Sequence, residues 1–529
     1  MVIQKEEKPQ VIIVGAGPSG LSLAIELGSR SIPCLVIEKN DRTGYAPRAK
    51  NTNIRTREHL RRWGIADRLA AASPFGINFP ATILFVTKLG GYLLTRFEDA
   101  FGGNPARDER YSEHAQWIPQ YKLEAVLLEH VRSLPSVRVA FGQEVVKIIQ
   151  DDQQVHAHFR ATDTGLEQII SAPYLAGADG GRSVTRQQIG GKMIGTHGLS
   201  RNNMTIFEAP GLAEAQLHGP AIQIWQCNQE MPGFIGPMDT DNRWFFAPTG
   251  IQADVEYTFE EILDMIRRST GIDLPYRILS SEVWITSKLL ADRYSKGRVF
   301  LVGDACHLHP PFGGYGMNMG VADAVDLGWK LSAVIQGWGD KALLQTYETE
   351  RRPIHRFVID QAEANHSLSP NQLARDFIEE DSARGEQVRK EVADLIWKTK
   401  RPEFFSLGVV LGYRYLESPI IIEEAPAIPW DRSIDYTPSA APGCLAPHRW
   451  LEDGSSLYDH FGQGFTMLVM DARAREAAKA ASLQAKSLRI PFTIFETLNG
   501  NLAGLYEAPL ALIRPDQHVA WRGTSVPSG

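Results

Sequence analysis

Few cysteines, no run of 18 apolar residues and no surplus of positive charge mark this chain of 529 residues. Cys34, Cys227, Cys306 and Cys444 are scattered, with neither a CxxC pair nor zinc-ligand spacing. A dithiol redox cycle is therefore excluded, no metal site is expected, and free thiols in a reducing compartment fit best. Nothing is apolar for long enough to span a bilayer, and the opening residues are polar rather than a secretory core, so a cytoplasmic protein without membrane contact is expected. A net charge of −7 argues against nucleic acid as a partner, because a phosphate backbone demands a basic face. Internal repeats and low-complexity tracts are also missing. What is present, 43% hydrophobic and 22% charged residues, is ordinary globular usage with room for two or three domains.

Two glycine-and-acid segments carry the chemistry. Val11-Ile-Ile-Val14 runs into Gly15, Gly17, Pro18, Ser19 and Gly20, and a second strand from Cys34 ends at Glu38 with Lys39 beside it. This is the dinucleotide fingerprint: Gly15 permits the tight turn, Gly17 lets backbone approach a pyrophosphate, Gly20 lets helix pack on strand, and the helix N-terminus offers N–H donors. Glu38 would accept from ribose hydroxyls. In the second segment, the apolar strand Val299-Phe-Leu-Val302 delivers Asp304 at its carboxyl end, where a carboxylate suits a ribitol hydroxyl. Pro310 and Pro311 then stiffen the chain, and Gly313, Gly314 and Gly316 leave backbone N–H groups bare toward a planar ring. Met317 and Asn318 open a helix expected from Asn318 to Gln336, whose dipole suits negative charge on a ring edge. His307 and His309 read as structural hydrogen-bonding groups.

The run from Gly303 to Leu331 resembles, almost position for position, the flavin-contacting segment of the single-component FAD aromatic hydroxylases. This is the para-hydroxybenzoate hydroxylase-like group, which includes phenol and hydroxyphenylpropionate hydroxylases. Ala178-Asp179-Gly180-Gly-Arg182 resembles the same family's middle motif, and the resemblance covers nearly the whole chain. It implies an α/β protein with a Rossmann-like FAD-binding domain (1–75, 116–186 and 291–400) and an interleaved antiparallel β-sheet substrate domain (76–115 and 187–290). A proline-rich linker (401–440) would lead to a thioredoxin-like C-terminal domain (441–529) suited to packing or homodimer contact. As cofactor contacts it implies the fingerprint residues, Asp179, Asp304, Gly314, Gly316, Met317 and Asn318, with Arg48 or Arg55 on phosphate and Gln120 on the flavin side chain. The carbonyl of Pro311 would lie beside both flavin and phenolic oxygen. Relatives of phenol-hydroxylase character place an aspartate before the Arg-Thr pair, whereas Lys50 and Asn51 stand there in this chain, leaving the base unnamed. Between 187 and 290 the pattern alternates as antiparallel strands, and Gln223, Trp225 and Cys227 on one face would roof an aromatic ligand or pack a core.

The activity implied is insertion of one oxygen atom from O2 into a phenolic or other electron-rich aromatic ring, through a flavin C4a-hydroperoxide, with NADPH or NADH as donor. No second GxGxxG follows, consistent with transient nicotinamide binding. Relatives that epoxidise, oxidatively decarboxylate or inactivate an aromatic antibiotic are alternatives, and a non-catalytic flavin-binding protein is a rival of another class. A flavin halogenase is disfavoured, because Trp117-Ile-Pro119 lacks the first tryptophan of that group's WxWxIP segment.

Overall fold

The apolar runs Val11–Val14, Cys34–Ile37 and Tyr174–Gly177 are buried along their whole length, as strands must be when both faces of a parallel sheet are covered. In the computed structural model, which describes residues 8–41, 49–239, 242–252, 255–366, 368–426, 428–498 and 500–526, they form the centre of a six-stranded sheet. Its order is Ser295–Lys296, Val299–Leu301, Tyr174–Gly177, Val11–Val14, Cys34–Ile37, Val137–Ala140. All neighbours are parallel except the first pair. The apolar helices Pro18–Gly28 and Gly316–Ile335 pack together beside this sheet. The latter begins at Gly316 rather than the expected Asn318, since Tyr315 is already in helical conformation. Helices Ile54–Arg62 and Ala66–Ala71 are separated where Gly64 turns left-handed at φ 73°.

An eight-stranded sheet runs His307–Leu308, Arg277–Ala291, Met193–Glu208, Arg243–Pro248, Gly233–Asp239, Gln223–Gln226, Ile83–Val86, Leu93–Phe97. Strand alternation sorts its side chains into two faces. Phe207, Ile224, Ile235, Trp244 and Phe246 bury against helix Phe259–Thr270, whose start is fixed by a reciprocal cap between Thr258 and Glu261. Ile206, Phe234 and Phe245 point the other way, toward Trp117 and Tyr121. The two residues His307–Leu308, within the second glycine segment, pair with Leu290 and Leu289, so the loop that follows them is stitched to the larger sheet.

The C-terminal residues form a four-stranded sheet, Phe492–Glu496, Phe465–Val469, Leu510–Ile513, Val519–Gly523. Its first two strands are parallel and joined through helix Arg475–Ser487, and the rest are antiparallel, a thioredoxin-like arrangement. The prolines that mark 401–440 as a linker do not leave it extended. It contains helix Leu407–Leu411, Gly408 donates its N–H to the carbonyl of Ile434 at 2.7 Å, and Tyr413 and Tyr415 pack against His518.

Charge, not only apolar contact, docks this tail. Arg514 is fully buried and donates to Glu350 at 2.7 and 2.8 Å, to Asp326 at 3.2 Å and to Asp516 at 2.6 Å. Lys330 completes the cluster on Asp326 (2.7 Å) and Glu350 (2.6 Å). Burial opposes the charge on Glu350, but Arg514 and Lys330 outweigh it and hold its carboxyl well below the usual range. Removing one partner of such a cluster leaves buried carboxylates uncompensated, at a cost of about 3–5 kcal/mol. Arg514→Met is expected to lower the urea midpoint accordingly and to expose the tail to protease. A change within the error of the wild-type midpoint would contradict this account.

Candidate active site

Strand Val11–Val14 stops at Gly15, whose φ of 105° only glycine adopts readily, and a Cβ there would collide with the carbonyl of Ala178. At Gly17 the opposite holds: a Cβ would meet nothing within 4 Å, so bare backbone borders open space at the start of helix Pro18–Gly28. That helix has no side-chain cap, which leaves its first N–H groups and its dipole to an anion. Ser19 lies in its first turn and Lys39 is exposed at the end of the second strand. Glu38 is buried; its carboxylate accepts from Ala16 N at 2.8 Å and Asn40 N at 2.9 Å, and a carboxylate keeps further acceptor positions for ribose hydroxyls.

The second segment meets this groove at the same, carboxyl, end of the parallel strands, where a Cβ on Gly303 would collide with Ser19. Asp304 is exposed in the turn Gly303–Ala305 that follows Val299–Leu301. Helix Gly316–Ile335 also starts without a side-chain cap, which leaves its first N–H groups to an anion in the same way. A dinucleotide fits these residues: phosphate at Gly17, hydroxyls at Glu38 and Asp304, a ring edge at the helix that begins at Gly316. Pro311 is exposed, and its carbonyl accepts from Gly314 N at 3.1 Å. Met317 is half-buried in the first helical turn.

Several side chains expected at the cofactor have other partners. Arg55 is buried, with its guanidinium on Glu58 (3.0 Å), Gln517 (2.7 Å) and the carbonyl of Asp516 (2.7 Å), so it secures the tail instead of a phosphate. Asp179 accepts from Ser183 Oγ at 2.5 Å and Thr185 N at 2.9 Å, fixing the turn into Val184–Gln188. Gln120 accepts from Ala49 N at 3.1 Å and donates to Glu124 at 2.9 Å. The Asn318 amide accepts from Asn53 N (3.0 Å) and donates to the carbonyls of Asn51 (2.9 Å) and Gly314 (2.7 Å), tying the strand Asn51–Thr52 to the glycine loop. Arg48 lies outside the described residues.

A buried node lies behind the loop. Asp323 accepts from Gly303 N (3.2 Å), His307 Nε2 (2.7 Å), Arg351 Nε (2.8 Å) and His355 Nε2 (2.7 Å). Burial would raise its pKa, but His355, Arg351 and His307 outweigh that and hold it well below the carboxylate range. His355, pushed down to about 3 by burial, is a neutral donor. Nitrogens of His307, His309 and His355 lie within 4.8 Å of one another. His307 and His355 nevertheless stack at 3.7 Å with 19° between planes, and one ion cannot lie in the planes of two stacked rings; these two serve as hydrogen-bonding groups on Asp323, whereas, contrary to expectation, neither ring nitrogen of His309 has a hydrogen-bond partner.

A cavity of about 400 Å³ opens beside Asn51 and Gly313, walled by Phe101, Tyr111, Phe404, Phe405 and Tyr436 and also by charged side chains, among them Asp99, Arg107, Arg110 and Arg401. Neither Gln223 nor Trp225 lines it. Trp225 is fully buried, packed at 4.5 Å on Phe234 with the Lys400 ammonium 4.5 Å from its ring, so the sheet spacing that allowed a roof made a core. The walls of this cavity come from 99–111, within the stretch 76–115 assigned to the substrate domain, and from 401–436, within the stretch read as linker.

The family profile described as FAD binding domain matches residues 8–362, and that described as aromatic-ring hydroxylase, C-terminal, matches residues 439–528. Tetracenomycin B2 monooxygenase-dioxygenase of Streptomyces olivaceus is 32% identical across 97% of this chain and 94% of its own. The 4-methyl-5-nitrocatechol 5-monooxygenase of Burkholderia sp is 30% identical across 97% and 93%. Among solved structures, RebC soaked with chromopyrrolic acid, with bound 7-carboxy-K252c, superposes with a TM-score of 0.90 at 31% identity, covering 98% of this chain and 97% of that one.

If Gly17 is the phosphate cradle, Gly17→Val fills it. The variant should fold and lose most of its FAD on gel filtration, with affinity reduced at least about tenfold, or about 1.4 kcal/mol. Full FAD occupancy in the folded variant would contradict the assignment.

Proposed function

The chain belongs to the FAD-dependent aromatic-ring hydroxylases, and from that premise we propose that its substrate is a phenol of two or more fused rings, bound in the cavity beside Gly313. It is a flavoprotein monooxygenase. When bound, FAD supplies the activation of O2 from which one oxygen atom passes to an electron-rich ring. The protein's tasks are to bind, to orient and to keep water out. Gly17 and the N-terminus of helix Pro18–Gly28 hold the diphosphate, Glu38 the adenosine ribose and Asp304 the ribitol. The uncapped start of helix Gly316–Ile335 favours negative charge on the ring edge, and the exposed Pro311 faces the reacting ring.

The observation that carries the substrate class is the cavity itself. About 400 Å³ walled by Phe101, Tyr111, Phe404, Phe405 and Tyr436 lies within the range of small-molecule sites and exceeds what one ring fills. The relatives' names range from tetracenomycin B2 and 7-carboxy-K252c to the single-ring 4-methyl-5-nitrocatechol, so the cavity alone carries this choice. We place the division between cofactor and substrate domains at the two large sheets. NADPH or NADH is a transient donor, with no nucleotide fold of its own. An acidic chain with no helix, among the described residues, long and apolar enough to cross a membrane suits the cytoplasm. Exposed Leu483, Leu488 and Ile494 on the tail suit a homodimer contact.

A fused-ring phenol that shifts the flavin toward the position NAD(P)H can reach should accelerate anaerobic flavin reduction by about tenfold or more, each 1.4 kcal/mol of differential affinity giving tenfold. Stopped-flow reduction with 2-naphthol, with phenol and with neither tests this, and product mass identifies the added oxygen. Equal rates in all three would overturn the substrate class.

A further inference from the structure

The helix that ends at the substrate cavity presents two different faces there. In helix Ala383–Phe404, Lys400 and Glu403 lie three residues apart along one face, while Arg401 and Phe404, one step on, lie along the next. The second face, continued by Phe405 and Ser406, is cavity wall. The first is buried, and there the Lys400 ammonium meets the Glu403 carboxylate at 3.0 Å. Such a pair gains little stability over an apolar pair of the same size, but a carboxylate held by a lysine is a strong acceptor for a backbone N–H.

What this buried face meets is the glycine loop. Burial pushes the Glu403 carboxyl up, opposed by Lys400 and by the backbone N–H of Gly313, which turns toward it. The Lys400 ammonium also donates to the carbonyl of Asn365 at 2.7 Å and lies 5.2 Å from the centre of the Phe312 ring. Tyr315 folds back over Gly313, where a Cβ would collide with its ring, and the Tyr315 hydroxyl donates to Ser406 at 2.7 Å. Phe312, Gly313 and Tyr315 are thus all held by the end of one helix and the residues just past it. Gly313 itself borders the cavity that Phe404 and Phe405 wall.

Resting on the reading of this cavity as the substrate site, we propose that Glu403 is a positioning residue that passes substrate occupancy to the flavin: it grips the Gly313 N–H while the residues that follow it touch the substrate. Phe404 already packs on Phe101 at 5.5 Å and on Phe97 at 5.1 Å. Close-packed side chains transmit a displacement rather than absorb it, so a ring entering beside Phe404 and Phe405 shifts the helix end. Glu403 moves with Phe404, and Gly313 follows Glu403. The start of helix Gly316–Ile335, where the ring edge is assigned, lies three residues further on. Lys400 keeps the carboxylate charged and aimed at the loop. No bond is made or broken in this step: the loop passes between two placements, and substrate favours one only by the difference in its affinity for them.

The test follows the flavin absorption bands and anaerobic flavin reduction in holoenzyme with and without saturating 2-naphthol, whose binding is read separately from its own fluorescence. Wild type is compared with Glu403→Gln, with the double variant Lys400→Met/Glu403→Met, which makes the change a buried ion pair tolerates best, and with Phe404→Ala, which cuts the link from the cavity side. FAD content confirms that each is folded and loaded. In wild type, naphthol should shift the flavin bands and accelerate reduction by about tenfold. The double variant should still bind naphthol, but its flavin bands should stay in place and the acceleration should fall to about twofold or less. Phe404→Ala should bind naphthol more weakly and, at saturation, lose the acceleration as well. Glu403→Gln, whose amide oxygen still accepts from Gly313, should keep most of both responses. Wild-type responses in the double variant or in Phe404→Ala, or a Glu403→Gln as unresponsive as the double variant, would overturn the role of Glu403. A wild-type holoenzyme that binds no naphthol, or whose reduction naphthol leaves unchanged, would overturn the substrate reading beneath it, and the proposal with it.

Discussion

One carboxylate fixes the geometry on which the site depends. Asp323 is fully buried in helix Gly316–Ile335, and a buried charge persists only when paired and hydrogen-bonded. Its partners come from the turn at Gly303, the strand at His307 and the helix Thr346–His366 that carries Arg351 and His355. Meeting that one charge sets the end of strand Val299–Leu301, the exit into the glycine loop and the start of the long helix in a single arrangement. Asp304 acquires its position as a consequence because it follows Gly303, and Gly316 because it opens the helix that carries Asp323.

The second tie is the ionic cluster around Arg514, which joins the tail to helices Gly316–Ile335 and Thr346–His366. Arg55 extends it through Asp516 and Gln517 to helix Ile54–Arg62. The tail has no redox pair of its own; its contribution is to press segment 401–440 against the body. Phe404, Phe405 and Tyr436 then close the cavity beside Gly313. The glycine loop and the cavity beside it thus depend on different anchors, the loop on Asp323 and the cavity on Arg514.

The fingerprint at Gly15 to Gly20, the strand ending at Glu38 and the strand delivering Asp304 were legible because each rests on local rules: a turn only glycine makes, a short apolar run, an acid at a strand end. The two-sheet architecture and the thioredoxin-like tail followed from ordered motifs. Side-chain roles were less legible. Arg55, Asp179 and Asn318 are residue types that bind phosphate, hydroxyls or amides equally well, and the chain itself supplied their partners, in the case of Arg55 from the far end of the sequence. Trp225 failed as a roof because alternation tells which face a residue takes, not whether that face meets a ligand or other aromatics. The cavity walls from 401–436 were hidden for a further reason: prolines announce a break in regular structure, and 401–440 is irregular but folded.

The central claim is that this flavoprotein places one atom of molecular oxygen on a fused-ring phenol. Turnover of 2-naphthol with NAD(P)H under ¹⁸O2 in ordinary water tests it most directly. The account predicts a product heavier by one ¹⁸O atom, formed in proportion to the NAD(P)H consumed. Label taken from water, or NAD(P)H consumed with hydrogen peroxide as the sole product, would contradict it.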